Sequence, residues 1–294
     1  MNLAFRPAGR KLTALWIVLL ATVFPVLLFA AQSVSFQPGF NLFSPAQDVE
    51  MGRKASAEIS SKLPLIRDRQ VVVYISDLGK RLAAVAPGKP QNLKYDWTFH
   101  VVNSSDINAF ALPGGFIYVN RGAIEAAQNE AQLAGVLAHE EGHVVMRHGT
   151  HQASEMLLAQ APLAILGSLL GQSSSLASQL AQLGLSFGVN SILLRNSRSA
   201  ESQADEVGTY ILYHAGYDPH GMAQFFQIIQ KKYPQRTIQF FSDHPNPVNR
   251  IRNVDEEIPR LGPKKNWKMD SPEFEVIKKK LERMPPAPKP AAQK

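Results

Sequence analysis

His139-Glu140-Glu141-Gly142-His143 places two imidazoles four residues apart, with a carboxylate directly after the first. An α-helix turns once every 3.6 residues, so positions i and i+4 point nearly the same way and both rings can hold one zinc ion. Glu140 projects about 100° further round such a helix, beside the metal, where it can take a proton from the attacking water. The pattern predicts metal-assisted hydrolysis; on a solvated helical face the same residues would mean nothing. A catalytic zinc also wants a third protein ligand, and the chain has no cysteine to offer. Glu201-Ser202-Gln203-Ala204-Asp205 supplies two carboxylates at i and i+4, on one side of a helix. Glu201 is the expected third ligand, and Asp205 the acceptor that holds a ligand imidazole in the right tautomer. His148, nine positions after His139, reads as a cation near a helix C-terminus rather than as a ligand.

The elements that must position these groups are legible in outline. Asn129 and Gln132 suit the N-cap and N3 positions of the helix carrying the motif, Leu133, Val136 and Leu137 give it an apolar stripe, and Gly149 offers a stop. Residues 44–86 are expected to be mostly helical. Ser44-Pro45 opens a first helix whose Val49, Gly52, Ala55 and Ile59 share a face up to Pro64, and a second runs from Gln70 through Leu82. Tyr95 to Val102 alternates as a strand, Ile107 to Leu112 is a second, and Pro113-Gly114-Gly115 turns the chain into a third at Phe116 to Val119. A last helix starts at Ser271-Pro272-Glu273, with Lys278, Lys279 and Lys280 near its end on a solvated face. The predicted class is α+β, mainly helical: a zincin-like metalloprotease domain with a small sheet beside the H-E-x-x-H helix. An edge strand of such a sheet can pair with an extended peptide, although a purely supporting sheet fits the same pattern.

Charge and hydropathy set the address. The formal net charge of +7 is concentrated at the two ends, leaving the body of the chain near neutral, so a basic nucleic-acid-binding face is not expected. Arg6, Arg10 and Lys11 precede an uncharged run through Ala31, which reads as a secretory signal over residues 1–31, cut near Ala30 or Ala31, or else as an uncleaved anchor. The metalloprotease domain is expected over 32–284, and a Pro/Ala/Lys tail without core-forming residues over 285–294. Residues 156–194 carry no charge, and the reading is a helical hairpin near the cleft, with a membrane-dipping hairpin or a gating lid as alternatives.

Four separated motifs share a resemblance. The His139–His143 stretch continuing into Arg147-His148, Asn108 to Gly115 ahead of it, Glu201 to Asp205, and Asp243-His244-Pro245 with Arg250 resemble the zinc metallopeptidases of the HtpX and CAAX prenyl protease family, a gluzincin group. Asn41-Leu42-Phe43-Ser44 resembles its periplasmic BepA-like branch more closely, over roughly residues 40–284 and with no tetratricopeptide array expected after them. The resemblance implies zinc on His139, His143 and Glu201, with Glu140 catalytic and Asp205 in support. It further implies that His244 reaches the metal as a fourth ligand or latch, that Arg250 steadies the transition state, and that Asn108, Ala109, Phe110 and Ala111 bind substrate.

The expected protein is therefore an exported zinc metalloendopeptidase holding one Zn2+ per chain. Its partners would be polypeptide substrates, with envelope or outer-membrane assembly proteins as further candidates, in quality control of misfolded or stalled proteins in the bacterial periplasm. Membrane association would run through an uncleaved N-terminus or the 156–194 stretch. The alternative is a chaperone-like holdase that hydrolyses little, and Glu140 discriminates, since a holdase needs no carboxylate there.

Overall fold

A computed structural model describes residues 36–88, 95–160, 196–233, 243–244, 247–263 and 266–287. The expectations for residues 1–31, 161–194 and 288–294 lie outside them. Among the described residues, α1 (Pro45–Lys62) and α2 (Arg69–Val85) lead into β1 (Thr98–Val102), β2 (Ala109–Leu112) and β3 (Phe116–Asn120). Then follow α3 (Arg121–Ala126), α4 (Glu130–Val145), α5 (His148–Gln160), α6 (Arg198–Ala215), α7 (His220–Lys232), α8 (Pro247–Leu261) and α9 (Pro272–Arg283). The mainly helical α+β reading holds, and none of these helices is long and apolar enough to cross a membrane.

Local signals explain most element ends. Ser44 caps α1 in a reciprocal box with Gln47, Pro45 taking the first turn, where a missing N–H costs nothing. Asn129 accepts from the Gln132 amide at 3.0 Å to start α4, and Ser271 accepts from the Phe274 amide to start α9. The Gly114 and Gly115 turn between β2 and β3 has φ of 78° and 106°, where a side chain would be strained. A Cβ at Gly114 would also meet the α1 backbone at Val49 within 2.5 Å.

The sheet order is β1-β3-β2, with β1 parallel and β2 antiparallel to β3. All five residues of β3 are buried, while the outer edge of β2 pairs with no strand among the described residues. Tyr95 to Trp97, expected to open the first strand, fall outside β1: the Asp96 amide bonds to the Gly114 carbonyl, and Tyr95 and Trp97 pack edge to face over the turn.

The core gathers around α4, whose every residue is buried. Helices α6 and α7 lie along it, α8 closes over both, and α2 and β2 cover the other side. Contact with α6 is close because Gly142 lacks a side chain; a Cβ there would sit 2.7 Å from the Ala204 carbonyl oxygen. At the other end of α4, buried Glu130 accepts from Lys268 Nζ at 2.6 Å and from the Tyr217 and Ser271 hydroxyls. The Glu130 and Ala131 amides donate to Asp270 and Met269, which fastens the segment before α9 to the start of α4.

One expectation needs correcting. Lysines 278 and 280 are not simply solvated: Lys278 Nζ donates to the Ala127 carbonyl at 2.7 Å, at the end of α3, and Lys280 Nζ lies 2.9 Å from the Asp68 carboxylate that caps α2. They fasten α9 to the end of α3 and the start of α2. After α9, the Pro285 carbonyl accepts from Arg121 Nη1 at 2.7 Å.

Candidate metal centre

Helix α4 brings His139, Glu140 and His143 to one point, and the close α4–α6 contact at Gly142 brings Glu201 opposite them. His139 Nε2 and His143 Nε2 lie 3.0 Å apart. Glu201 Oε1 is 3.3 Å from His143 Nε2, and Oε2 is 3.4 Å from His139 Nε2. His244 Nδ1 completes the group, 3.2 Å from His139 Nε2 and 3.1 Å from Glu201 Oε1. All four residues are buried, and their candidate ligand atoms fall within 4.8 Å of one another. Around a tetrahedral ion with bonds near 2.05 Å, neighbouring ligand atoms are about 3.3 Å apart. The donor set therefore fits one metal ion both by chemistry and by spacing.

Supporting groups surround the cluster. His139 Nδ1 lies 3.1 Å from Asp205 Oδ1, the contact that leaves Nε2 facing the other ligands. Asp205 is gripped by Arg250, with Nη2 at 2.9 Å and Nε at 3.1 Å from Oδ1. Arg250 also reaches within 3.4 Å of Glu201 Oε2 and lies over the Phe226 ring at 3.8 Å from its centroid, the geometry of a cation over a π face. Glu140 Oε1 is 3.4 Å from His244 Nε2, so the carboxylate sits at the rim of the cluster and outside its centre.

The electrostatics follow from this crowding. Burial works against the charged form of Glu201, yet His244, Arg250 and His143 outweigh it and hold its pKa well below the usual carboxylate value. Burial also works against a charged His244, and Glu201 and Glu140 reverse that, raising its pKa to about 9. His143 goes the other way: burial dominates and its pKa falls.

The resemblance named Asn108 to Ala111 as substrate-binding, and this stretch lies on or next to the edge strand β2, which packs against α4. Asn108 Nδ2 donates to Asp243 Oδ2 at 3.0 Å, linking the start of that strand to the segment carrying His244. Three features escaped the reading of the sequence: this link, the contact of Asp48 with Arg147, and the true place of His148. His148 is not a cation at a helix end. It is buried as the first residue of α5, burial holds its pKa down at about 3, and its Nδ1 lies 2.8 Å from His143 Nδ1.

The profile of peptidase family M48 matches residues 72–258. The beta-barrel assembly-enhancing protease of Escherichia coli (strain K12) is 30% identical over 226 residues, covering 75% of this chain and 45% of that protein. Mitochondrial metalloendopeptidase OMA1 of Schizosaccharomyces pombe is 31% identical over 231 residues, 77% of this chain and 65% of that protein. Metalloprotease YcaL of Escherichia coli (strain K12) is 28% identical over 229 residues, 77% of this chain and 87% of that protein. The chain thus spans less than half the length of the beta-barrel assembly-enhancing protease it matches.

Proposed function

This chain belongs to peptidase family M48, and we propose that it is a zinc-dependent endopeptidase that cleaves misfolded or stalled proteins of the bacterial envelope. One observation carries the reading. Two imidazoles and a carboxylate converge at separations of 3.0–3.4 Å, the spacing of ligands on one tetrahedral ion, with a glutamate at their rim. Zinc, when bound, supplies the Lewis acidity that lowers the pKa of water and polarises a peptide carbonyl. Glu140 takes the proton from the attacking water and returns it to the leaving amine. Arg250 holds positive charge beside the site where an oxyanion develops. The outer edge of β2 offers main-chain donors and acceptors to an extended peptide, with Asn108, Ala109, Phe110 and Ala111 along it.

The envelope assignment rests on the basic, then uncharged, run over residues 1–31 and on the likeness to a beta-barrel assembly-enhancing protease. Export to the periplasm, by a cut signal or a retained anchor, and contact with outer-membrane assembly proteins belong to the same proposal. The deciding assay is casein cleavage by the purified chain. Activity should vanish with a zinc chelator and return with added zinc; cleavage that persists after complete metal removal overturns the reading.

His244 is assigned as a latch. Its Nδ1 lies 3.2 Å from His139 Nε2 and 3.1 Å from Glu201 Oε1, which supports the reading of a fourth ligand that would stand in the place of the attacking water until an entering peptide displaces it. His244→Ala is expected to raise basal cleavage of an unstructured substrate while loosening zinc slightly. A zinc-loaded but inactive variant would make His244 a transition-state donor instead, and unchanged turnover and affinity would remove it from the site's chemistry altogether.

A further inference from the structure

His143 and His148 face each other through the same ring atom, Nδ1 to Nδ1, at 2.8 Å. Such a contact needs one proton between the two nitrogens, so one ring donates and the other accepts. Which ring donates is fixed by what lies on the far side of His143. Its Nε2 is turned toward His139 Nε2 at 3.0 Å and Glu201 Oε1 at 3.3 Å, where a ligand nitrogen must carry a lone pair. The proton of His143 is therefore on Nδ1, and His148 accepts it. His148 must then carry its own proton on Nε2, and that atom meets a matching acceptor, Gln203 Oε1, at 3.0 Å. The ring N–H of each histidine finds an acceptor, and both nitrogens of His148 are used, which leaves none for a metal.

The backbone is arranged to deliver this ring. Arg147 takes a positive φ of 57°, a strained conformation that a non-glycine residue keeps only where its surroundings enforce it. They do: Arg147 Nε and Nη2 lie 2.6 and 3.0 Å from the buried carboxylate of Asp48, and Nη2 also donates to the Phe43 carbonyl. The kink starts α5 at His148 and folds its ring back against His143, with centroids 4.9 Å apart. The segment before α1 braces the same helix, with Asn41 bonded to Thr150 at 2.8 Å and the Leu42 amide to Ser154 at 3.0 Å.

We propose that His148 is a positioning residue for the metal centre: its Nδ1 accepts the His143 Nδ1 proton and fixes the tautomer in which His143 presents Nε2 to the ion. The proposal rests on the metallopeptidase reading for its purpose, while its chemistry concerns this ring pair alone. It also explains an asymmetry. His139 is oriented by the carboxylate of Asp205, already paired with Arg250, whereas His143 is oriented by an uncharged imidazole. A neutral acceptor sets the tautomer without adding another negative charge beside Glu140, Glu201 and Asp205.

The test compares the full-length parent chain with His148→Phe, which keeps the ring's bulk, and His148→Asn, whose Oδ1 can stand where Nδ1 stood. Zinc affinity is read by chelator competition, the His143 tautomer by 15N NMR of the metal-free protein, and folding by thermal melting. In His148→Phe, zinc affinity should fall about 10–100-fold, the usual cost of losing such a partner, and His143 should show mixed tautomers with melting little changed. In His148→Asn, the Nδ1–H tautomer and most of the affinity should return. Parent-like zinc binding and tautomer in His148→Phe would overturn the proposal, as would equal losses in both variants. If His148→Phe does not fold, His148→Asn decides alone: retention of the Nδ1–H tautomer supports the role and its loss refutes it. None of these readouts needs peptide hydrolysis, so a chain that binds zinc but cleaves nothing would sink the protease reading and leave this one standing.

Discussion

Glu140→Gln keeps its zinc and loses peptide hydrolysis by at least about 100-fold, the lower end of what a positioned general base contributes. The substitution changes no ligand and almost no volume. Glu140 is buried at the rim of the cluster, with Oε1 facing His244 Nε2 at 3.4 Å, so the amide can occupy the same place. What it cannot do is take a proton from water and deliver it to an amine. The loss should therefore appear in kcat, with metal content by mass spectrometry and thermal melting close to the parent's. Turnover equal to the parent's, with zinc bound, would remove Glu140 from the reaction.

The second large effect concerns stability. Arg250→Ala in the metal-stripped protein should cost about 3–5 kcal/mol, because it abandons buried carboxylates, which is far worse than never having buried them. Asp205 and Glu201 are both buried, Arg250 contacts both, and its guanidinium is itself covered by Phe226. Against a typical total of about 5–15 kcal/mol, that loss brings the fold near its limit. Arg250→Lys should lose less, keeping the charge but not the planar fork that grips both Asp205 oxygens. Urea denaturation of the three chains measures this directly. Equal stability of Arg250→Ala and parent would mean that the carboxylates are compensated by something else.

Parts of the fold written in short-range chemistry could be read from the sequence. The starts of α1, α4 and α9 each need only a side chain to accept an amide a few residues on, and Ser44, Asn129 and Ser271 announce them. The candidate metal ligands on α4 and α6 were legible for the same reason, since i,i+4 spacing decides which side chains share a face. The end of α4 was not. Gly149 was the visible stop, yet the helix ends at Val145, and the positive φ falls on Arg147 because Asp48, 99 residues away in sequence, holds it. No local rule puts an arginine in that conformation, so the place of His148 beside His143 was hidden. His244 posed the same problem across 43 residues from Glu201, and only the resemblance to a family, not spacing, pointed to it. The attachment of Lys278 and Lys280 was invisible too, because their acceptors lie on α3 and on the cap of α2.

The complete burial of α4 has a consequence for how an ion is gained and lost. A helix with no exposed face, held at its start by the Glu130 cluster and along its length by α6 and α7, can release its amide protons to solvent only when the whole domain opens. Its two histidines are thus set in place by apolar packing before any ion arrives. In a zinc finger the metal free energy is the folding free energy, and chelation unfolds the chain. Here the burial of α4 predicts that the two are separable: slow amide exchange along α4 should survive removal of the ion. The protein should then give up and regain the ion without refolding.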